Sequence, residues 1–207
     1  MPWATVRTAP AHQPVEQLIS LRAVPGLVVL RPGDANEVVE AYRYVVQLRH
    51  QPAVLALSRQ PLPTLDRKKY APASGVARGA YVLADPPSGN PEVILIAWGS
   101  ELSLAVQAHE RLLAEGVRSR VVSMPSWDIF EHQPREYRET VLPPRVKARV
   151  AVEQGSTLGW DRYIGENGRV IGMNTFGASA PLKELQRKFG FEPERIVAAA
   201  MEQLGGR

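Results

Sequence analysis

His12, Ser58, Arg59 and Ser100 are the side chains of this 207-residue sequence whose types and settings could do chemistry. A histidine titrates near neutrality, so His12 could pass protons to and from the hydroxyls and carbonyls of a small substrate. Arg59 stands in Ser58-Arg59-Gln60, directly behind the apolar run Ala53 to Leu57. An arginine just past the carboxyl end of a parallel strand lies where α/β sheets bind ligands, and its planar fork matches phosphate. Ser58 could act as a nucleophile toward an ester if a base and oxyanion donors converged on it. Ser100 falls between a strand and a helix, as the serine of a nucleophile elbow would. Its surroundings, Trp98-Gly99-Ser100-Glu101-Leu102, are not Gly-x-Ser-x-Gly, and a helix cap explains it better.

Other chemistries find little support. His12, His50, His109 and His132 lack metal-ligand spacing, and His109-Glu110 lacks the second histidine of a zincin, so no metal site is expected. Zero cysteines exclude disulfides, thiolate chemistry and the usual structural zinc sites. Gly165, Gly168 and Gly172 miss the dinucleotide spacing.

These residues need a frame. The run Leu27 to Arg31, closed by Pro32-Gly33, predicts a buried strand, and Asp34 with Glu37 forms a plausible capping box. Val38, Tyr42, Val45, Val46 and Arg49 recur with helical spacing before Pro52, and Ala53 to Leu57 is a second strand. A strand–helix–strand unit of this kind places its strands in parallel. The Pro-rich stretch from Pro61 to about Arg78 reads as a linker crossing a surface. Tyr81 to Ala84 and Val93 to Trp98 then predict two adjacent strands, followed by a helix that Ser100 caps and Gly116 stops. Strands are expected at Arg120 to Ser123, Arg149 to Glu153 and Val170 to Met173, and two closing helices behind Pro181 and around Glu194 to Leu204. The expected fold is α/β, a mainly parallel sheet flanked by helices, preceded by a partial α/β module. The boundary falls near residue 75, giving units 1–74 and 75–207.

Composition narrows the class. A hydrophobic share of 44% and a charged share of 22% are those of an ordinary globular protein. The net charge of +4 is thinly spread: apart from Arg67-Lys68-Lys69 there is no basic run, and no basic stripe interleaved with aromatics, which argues against nucleic acid. An anionic small molecule fits this balance at least as well. No apolar stretch reaches membrane-spanning length, and the first residues lack the apolar core of a signal peptide, so a cytoplasmic protein is expected.

Four blocks resemble transketolase, a thiamine-diphosphate enzyme moving two-carbon ketol units between sugar phosphates. They are His12-Gln13-Pro14-Val15-Glu16; Ser58-Arg59-Gln60; Val121-Val122-Ser123-Met124-Pro125-Ser126; and a carboxyl-terminal series. That series includes Val152-Glu153-Gln154-Gly155, Trp160, Tyr163-Ile164-Gly165, Thr175-Phe176-Gly177-Ala178-Ser179-Ala180-Pro181 and Phe189-Gly190-Phe191. Together they cover the tail of the family's middle, pyrimidine-binding domain and its last domain. The resemblance implies that His12 lines the substrate channel and that Arg59 grips the sugar phosphate. It also implies what is missing. Where the family usually reads Glu-Asp-Gly-Pro-Thr-His-Gln-Pro, this chain reads Arg7-Thr8-Ala9-Pro10-Ala11-His12-Gln13-Pro14, with Thr8 at the position of the substrate-binding aspartate. Gly33-Asp34 with Asn36 lacks the second glycine and paired asparagines of a diphosphate and metal motif.

The expectation is a carboxyl-terminal transketolase fragment or subunit, inactive in ketol transfer alone and binding no cofactor by itself. Thiamine diphosphate and Mg belong to the complete enzyme. Two alternatives stand beside it: a cofactor-free esterase acting on small esters through Ser58 and His12, and an association module. Expected partners are a homo-oligomer and a chain carrying the thiamine site, with no nucleic acid and no membrane.

Overall fold

Residues 14–205 are described by the computed structural model. Gln17–Arg22 forms a one-and-a-half-turn helix, α1. Val28–Leu30 (β1), buried at all three positions, runs parallel to Ala53–Leu55 (β2), with Val29 opposite Val54. The crossover between them is α2, Ala35–Val45. Asp34 Oδ1 caps it by accepting the Glu37 N–H at 2.8 Å, as the Asp/Glu spacing predicts. The return bond is displaced by one residue: the Glu37 carboxylate takes the N–H of Gly33. The spacing-based stripe does not become the inner face. Glu37 and Ala41 point inward, whereas Tyr42 and Val46 are exposed.

The second sheet has the order β3-β5-β4-β6-β7, built from Tyr81–Ala84 (β3), Val93–Ala97 (β4), Ser119–Ser123 (β5), Ala148–Ser156 (β6) and Arg169–Met173 (β7). All neighbours are parallel except β3, which lies antiparallel on β5. The expected adjacency of Tyr81–Ala84 and Val93–Trp98 is therefore corrected, since β5 lies between them. Burial gives the reason. Every residue of β4 is buried, as in a central strand covered on both faces, whereas β3 alternates as an edge strand does.

Helices cover both faces. Leu102–Ala114 (α3) and Pro193–Gly205 (α8) pack on Leu95, Val121 and Val150. Trp127–Glu131 (α4), Arg135–Val141 (α5) and Asp161–Ile164 (α6) pack on the opposite side, around Ile94, Ile96 and Val122. Leu182–Phe189 (α7) begins behind Pro181 and ends at Gly190 in the left-handed region, where the sequence places its start and stop.

Two buried polar ties join the amino-terminal elements to the second sheet. The Arg22 guanidinium lies 3.7 Å from the Trp98 ring centroid and 3.5 Å from that of Trp127, and it forks onto the Glu153 carboxylate with two 3.2 Å bonds. Glu153 also accepts the indole N–H of Trp160. In the other tie, the fully buried Glu37 carboxylate accepts from Tyr81 Oη at 2.7 Å and Ser123 Oγ at 2.5 Å. The Pro-rich stretch does not run loose over the surface. Leu65 N–H and the Arg67 guanidinium both bind Asp34, and Arg67 also binds Tyr81 Oη. It ends in a 3-10 turn, Ala73–Arg78, and Gly79 at φ 80°. A Cβ at Gly79 would overlap the Phe130 backbone nitrogen and come within 2.7 Å of Ser126 O, so glycine is required twice over.

Candidate functional site

Parallel pairing sends β1 and β2 out of the fold at one edge. Ala56 N–H binds Leu30 O at 2.8 Å, so Arg31 and the segment Leu57–Gln60 follow each other across that edge. Ser58 is half-buried and Arg59 exposed there, sequence neighbours that both stand at this edge. His12 lies outside the described residues.

Arg31 is a residue that sequence reasoning missed. Its guanidinium is committed to Glu101, with further bonds to Ser100 Oγ at 3.2 Å and Trp98 O at 3.4 Å. It thereby locks the exit of β1 to the exit of β4. Gly99, at φ 55°, makes the approach possible, since a side chain there would meet the guanidinium at 2.6 Å. Like Arg59, Arg31 stands just past a strand, and that shared setting was the signal available for it. Ser100 is not the helix cap expected of it: its hydroxyl donates to Glu101 and accepts from Arg31.

Gly33-Asp34 proves to be structural. Both Asp34 oxygens are engaged, by Glu37 N–H and Arg67 on one and by Leu65 N–H and Asn36 Nδ2 on the other. No group of three or more His, Asp or Glu among the described residues could hold a metal ion.

The placed histidines all lie away from Ser58. His50 precedes the amino end of β2. His109 Nδ1 sits 2.8 Å from the hydroxyl of Ser119, the first residue of β5. His132 borders a cavity of about 570 Å³ whose wall includes Gly26 and Gln51, before β1 and β2. No described histidine thus shares the carboxyl edge with Ser58, and His12, the base expected of the esterase constellation, lies outside the described residues. Burial pulls the His109 imidazole below its ordinary value. A depressed histidine leaves the folded state binding fewer protons than the unfolded one. Stability is then fully present above the unfolded value near 6.5 and is lost as pH falls through the folded one. The urea midpoint should drop between neutral and mildly acidic buffer, and His109→Gln should flatten that drop. An unchanged slope in the variant would assign the acid sensitivity elsewhere.

Residues 79–192 match the family model of the transketolase-like C-terminal domain, and residues 1–64 that of the transketolase pyrimidine-binding domain. The chain is 52% identical over 191 residues to the transketolase of Halalkalibacterium halodurans, covering 92% of this chain and 28% of that protein. It is 50% identical over 194 residues to a chloroplastic transketolase of Craterostigma plantagineum, covering 93% and 37%. The transketolase structure from Leishmania mexicana superposes with a TM-score of 0.88 at 40% identity, over 97% of this chain and 28% of that one. A Pichia stipitis transketolase in complex with sedoheptulose-7-phosphate gives 0.88 at 36%, over 98% and 29%. A split-gene transketolase, an inactive β4 tetramer, shares the fold at 21% identity and a TM-score of 0.75. The chain spans about 28% of the length of its bacterial relative.

Proposed function

The chain belongs to the transketolase family, and on that premise we propose that it is the carboxyl-terminal part of an enzyme transferring ketol units between sugar phosphates. The observation that carries this reading is Arg59, exposed behind β2 within Ser58-Arg59-Gln60, at the edge where parallel sheets receive ligands. In this reading Arg59 holds the substrate phosphate by charge-assisted hydrogen bonds, and His12 exchanges protons with sugar hydroxyls in the same channel. Residues 1–74 then belong to the pyrimidine-binding domain and its linker, and residues 75–207 form the carboxyl-terminal domain. Matches ending at 64 and resuming at 79 support that boundary.

The described residues do not fit thiamine diphosphate and Mg. The one stretch resembling a diphosphate motif spends Asp34 on a helix cap and on Arg67. The cofactor site is then supplied by other polypeptide. Association is part of the same proposal. Val39, Tyr42 and Val46 leave an apolar stripe on α2 at least half exposed, and among the described residues β2 pairs with β1 alone. A further copy or a thiamine-binding chain would cover that face. The absence of cysteine fits a cytoplasmic setting for this work.

Purified alone with thiamine diphosphate, Mg, xylulose-5-phosphate and ribose-5-phosphate, the 207 residues should show no transfer. Joined behind the preceding part of the Halalkalibacterium halodurans transketolase, they should complete an active enzyme. In that enzyme Arg59→Gln should raise KM for sugar phosphates by about 10- to 100-fold, the loss expected for hydrogen bonds to a charged group. Transfer by the chain alone would overturn the division of labour, and an unchanged KM would overturn the role of Arg59.

A further inference from the structure

A second cavity, of about 270 Å³ and sharing no lining residue with the β1–β2 edge, opens between α4, α5 and α6. Arg135, Arg138, Arg149 and Arg162 line it against only Glu131 and Glu139, so its wall carries two positive charges in excess. Arg138 pairs with Glu131 at 2.7 Å and Arg135 with Glu139 at 2.6 Å. Arg149 spends its donors on four carbonyls, those of Val146, Tyr163, Leu142 and Pro143, and so keeps its charge without a carboxylate. Arg162 has no carboxylate partner among the described residues and lies 5.7 Å from the Trp127 ring and 6.0 Å from that of Tyr163.

The unmatched groups are the informative ones. Tyr163 Oη and Arg138 Nε are buried and neither makes a hydrogen bond of good geometry, although Tyr163 Oη lies close to Glu131 and Arg162; Tyr163 is only 3% exposed. A buried polar group left unmatched costs free energy and calls for an explanation. The Tyr163 hydroxyl is turned toward Glu131 and Arg162, both on the cavity wall, and burial with the charge of Glu131 raises its pKa far above neutrality. It is held protonated, as a donor. Both unmatched atoms are therefore donors, and the surplus charge around them is positive.

We propose that this cavity binds a small dianionic oxyanion of the phosphate class, held by Tyr163 Oη, Arg138 Nε and the Arg162 guanidinium. A tetrahedral anion offers acceptor oxygens in several directions at once, which donors arriving from α5 and α6 require, and two negative charges balance the surplus of two. Arg149 acts as a fixed charge and as the brace that holds the loop after α5 against α6. The site is separate from Arg59 and stands at no strand edge.

The test is thermal unfolding of the whole chain titrated with inorganic phosphate, with glycerol phosphate, and with sodium chloride at matched ionic strength. The expected result is a saturable rise in Tm with one or both phosphates and none with chloride. If glycerol phosphate binds more tightly than inorganic phosphate, the natural ligand is a monoester; the reverse order makes it free phosphate. Tyr163→Phe should fold as stably as the parent without ligand, because it removes an unmatched hydroxyl, yet bind the anion about tenfold more weakly. Arg162→Gln should weaken binding similarly, while Arg59→Gln should leave the response intact. An equal response in the parent and the Tyr163→Phe/Arg162→Gln double variant would overturn the proposal. Abolition by Arg59→Gln, or an equal effect of chloride, would do the same.

Discussion

Replacing Arg22 with methionine should lower the unfolding free energy by about 3–5 kcal/mol, the cost of leaving a buried charge without its partner. The Arg22 side chain is 4% exposed and that of Glu153 1%, so water cannot replace the lost guanidinium. What remains to Glu153 is the indole N–H of Trp160. Two close stacking contacts, on Trp98 and Trp127, go as well. The helix that carries Arg22 has six residues, too few to persist in water without tertiary contacts, so its docking rests on this side chain together with Val15 and Ile19. The control is Arg22→Met combined with Glu153→Gln. Removing the charge while keeping an acceptor for Trp160 should recover much of the loss. Urea unfolding of the three proteins decides it, and a single variant within about 1 kcal/mol of the parent would show the pair to be dispensable.

The second large effect is expected at Glu37. Glu37→Ala strips the acceptor from Gly33 N–H, Tyr81 O–H and Ser123 O–H together. Each buried donor left unmatched costs about 1–3 kcal/mol, so a total loss of at least about 3 kcal/mol is expected. Glu37→Gln should lose less, since its carbonyl can still serve Tyr81 and Ser123. Burial raises the Glu37 pKa, opposed by its three hydrogen bonds. A raised carboxyl contributes stability that is fully present below the unfolded value near 4.3 and is lost as pH rises through the folded one. Glu37→Gln should abolish this decline. If parent and variant keep parallel stability curves across that window, the assignment to Glu37 fails.

The regular parts of this fold were legible because they are long or punctuated. β4 reads as an unbroken apolar run, α2 carries its cap at Asp34, and α7 is bracketed by Pro181 and Gly190. The helices α4, α5 and α6 escaped notice because four to seven residues cannot display a period. A cap at Ser126 and Pro134 ahead of α5 were the only local signs of them. Strand order between β3 and β4 escapes the sequence because contiguity along the chain is not contiguity in the sheet, where β5 lies between them. The candidate site divides in the same way. Arg59 could be placed from the strand before it, whereas Arg31 finds Glu101 70 residues later and Arg22 finds Glu153 131 residues later. Pairings of that span leave no local trace, and a single sequence shows two unremarkable charges.

The tryptophan cage around Arg22 has an optical consequence. Three of the chain's four tryptophans, Trp98, Trp127 and Trp160, stand within 6 Å of that one guanidinium. Intrinsic fluorescence should therefore report the seating of a six-residue helix as well as the opening of the core, while circular dichroism averages over every helix. If α1 leaves its seat before the sheet opens, the two signals will trace different curves from the same sample, and a stability read from emission alone will blend the latch with the fold.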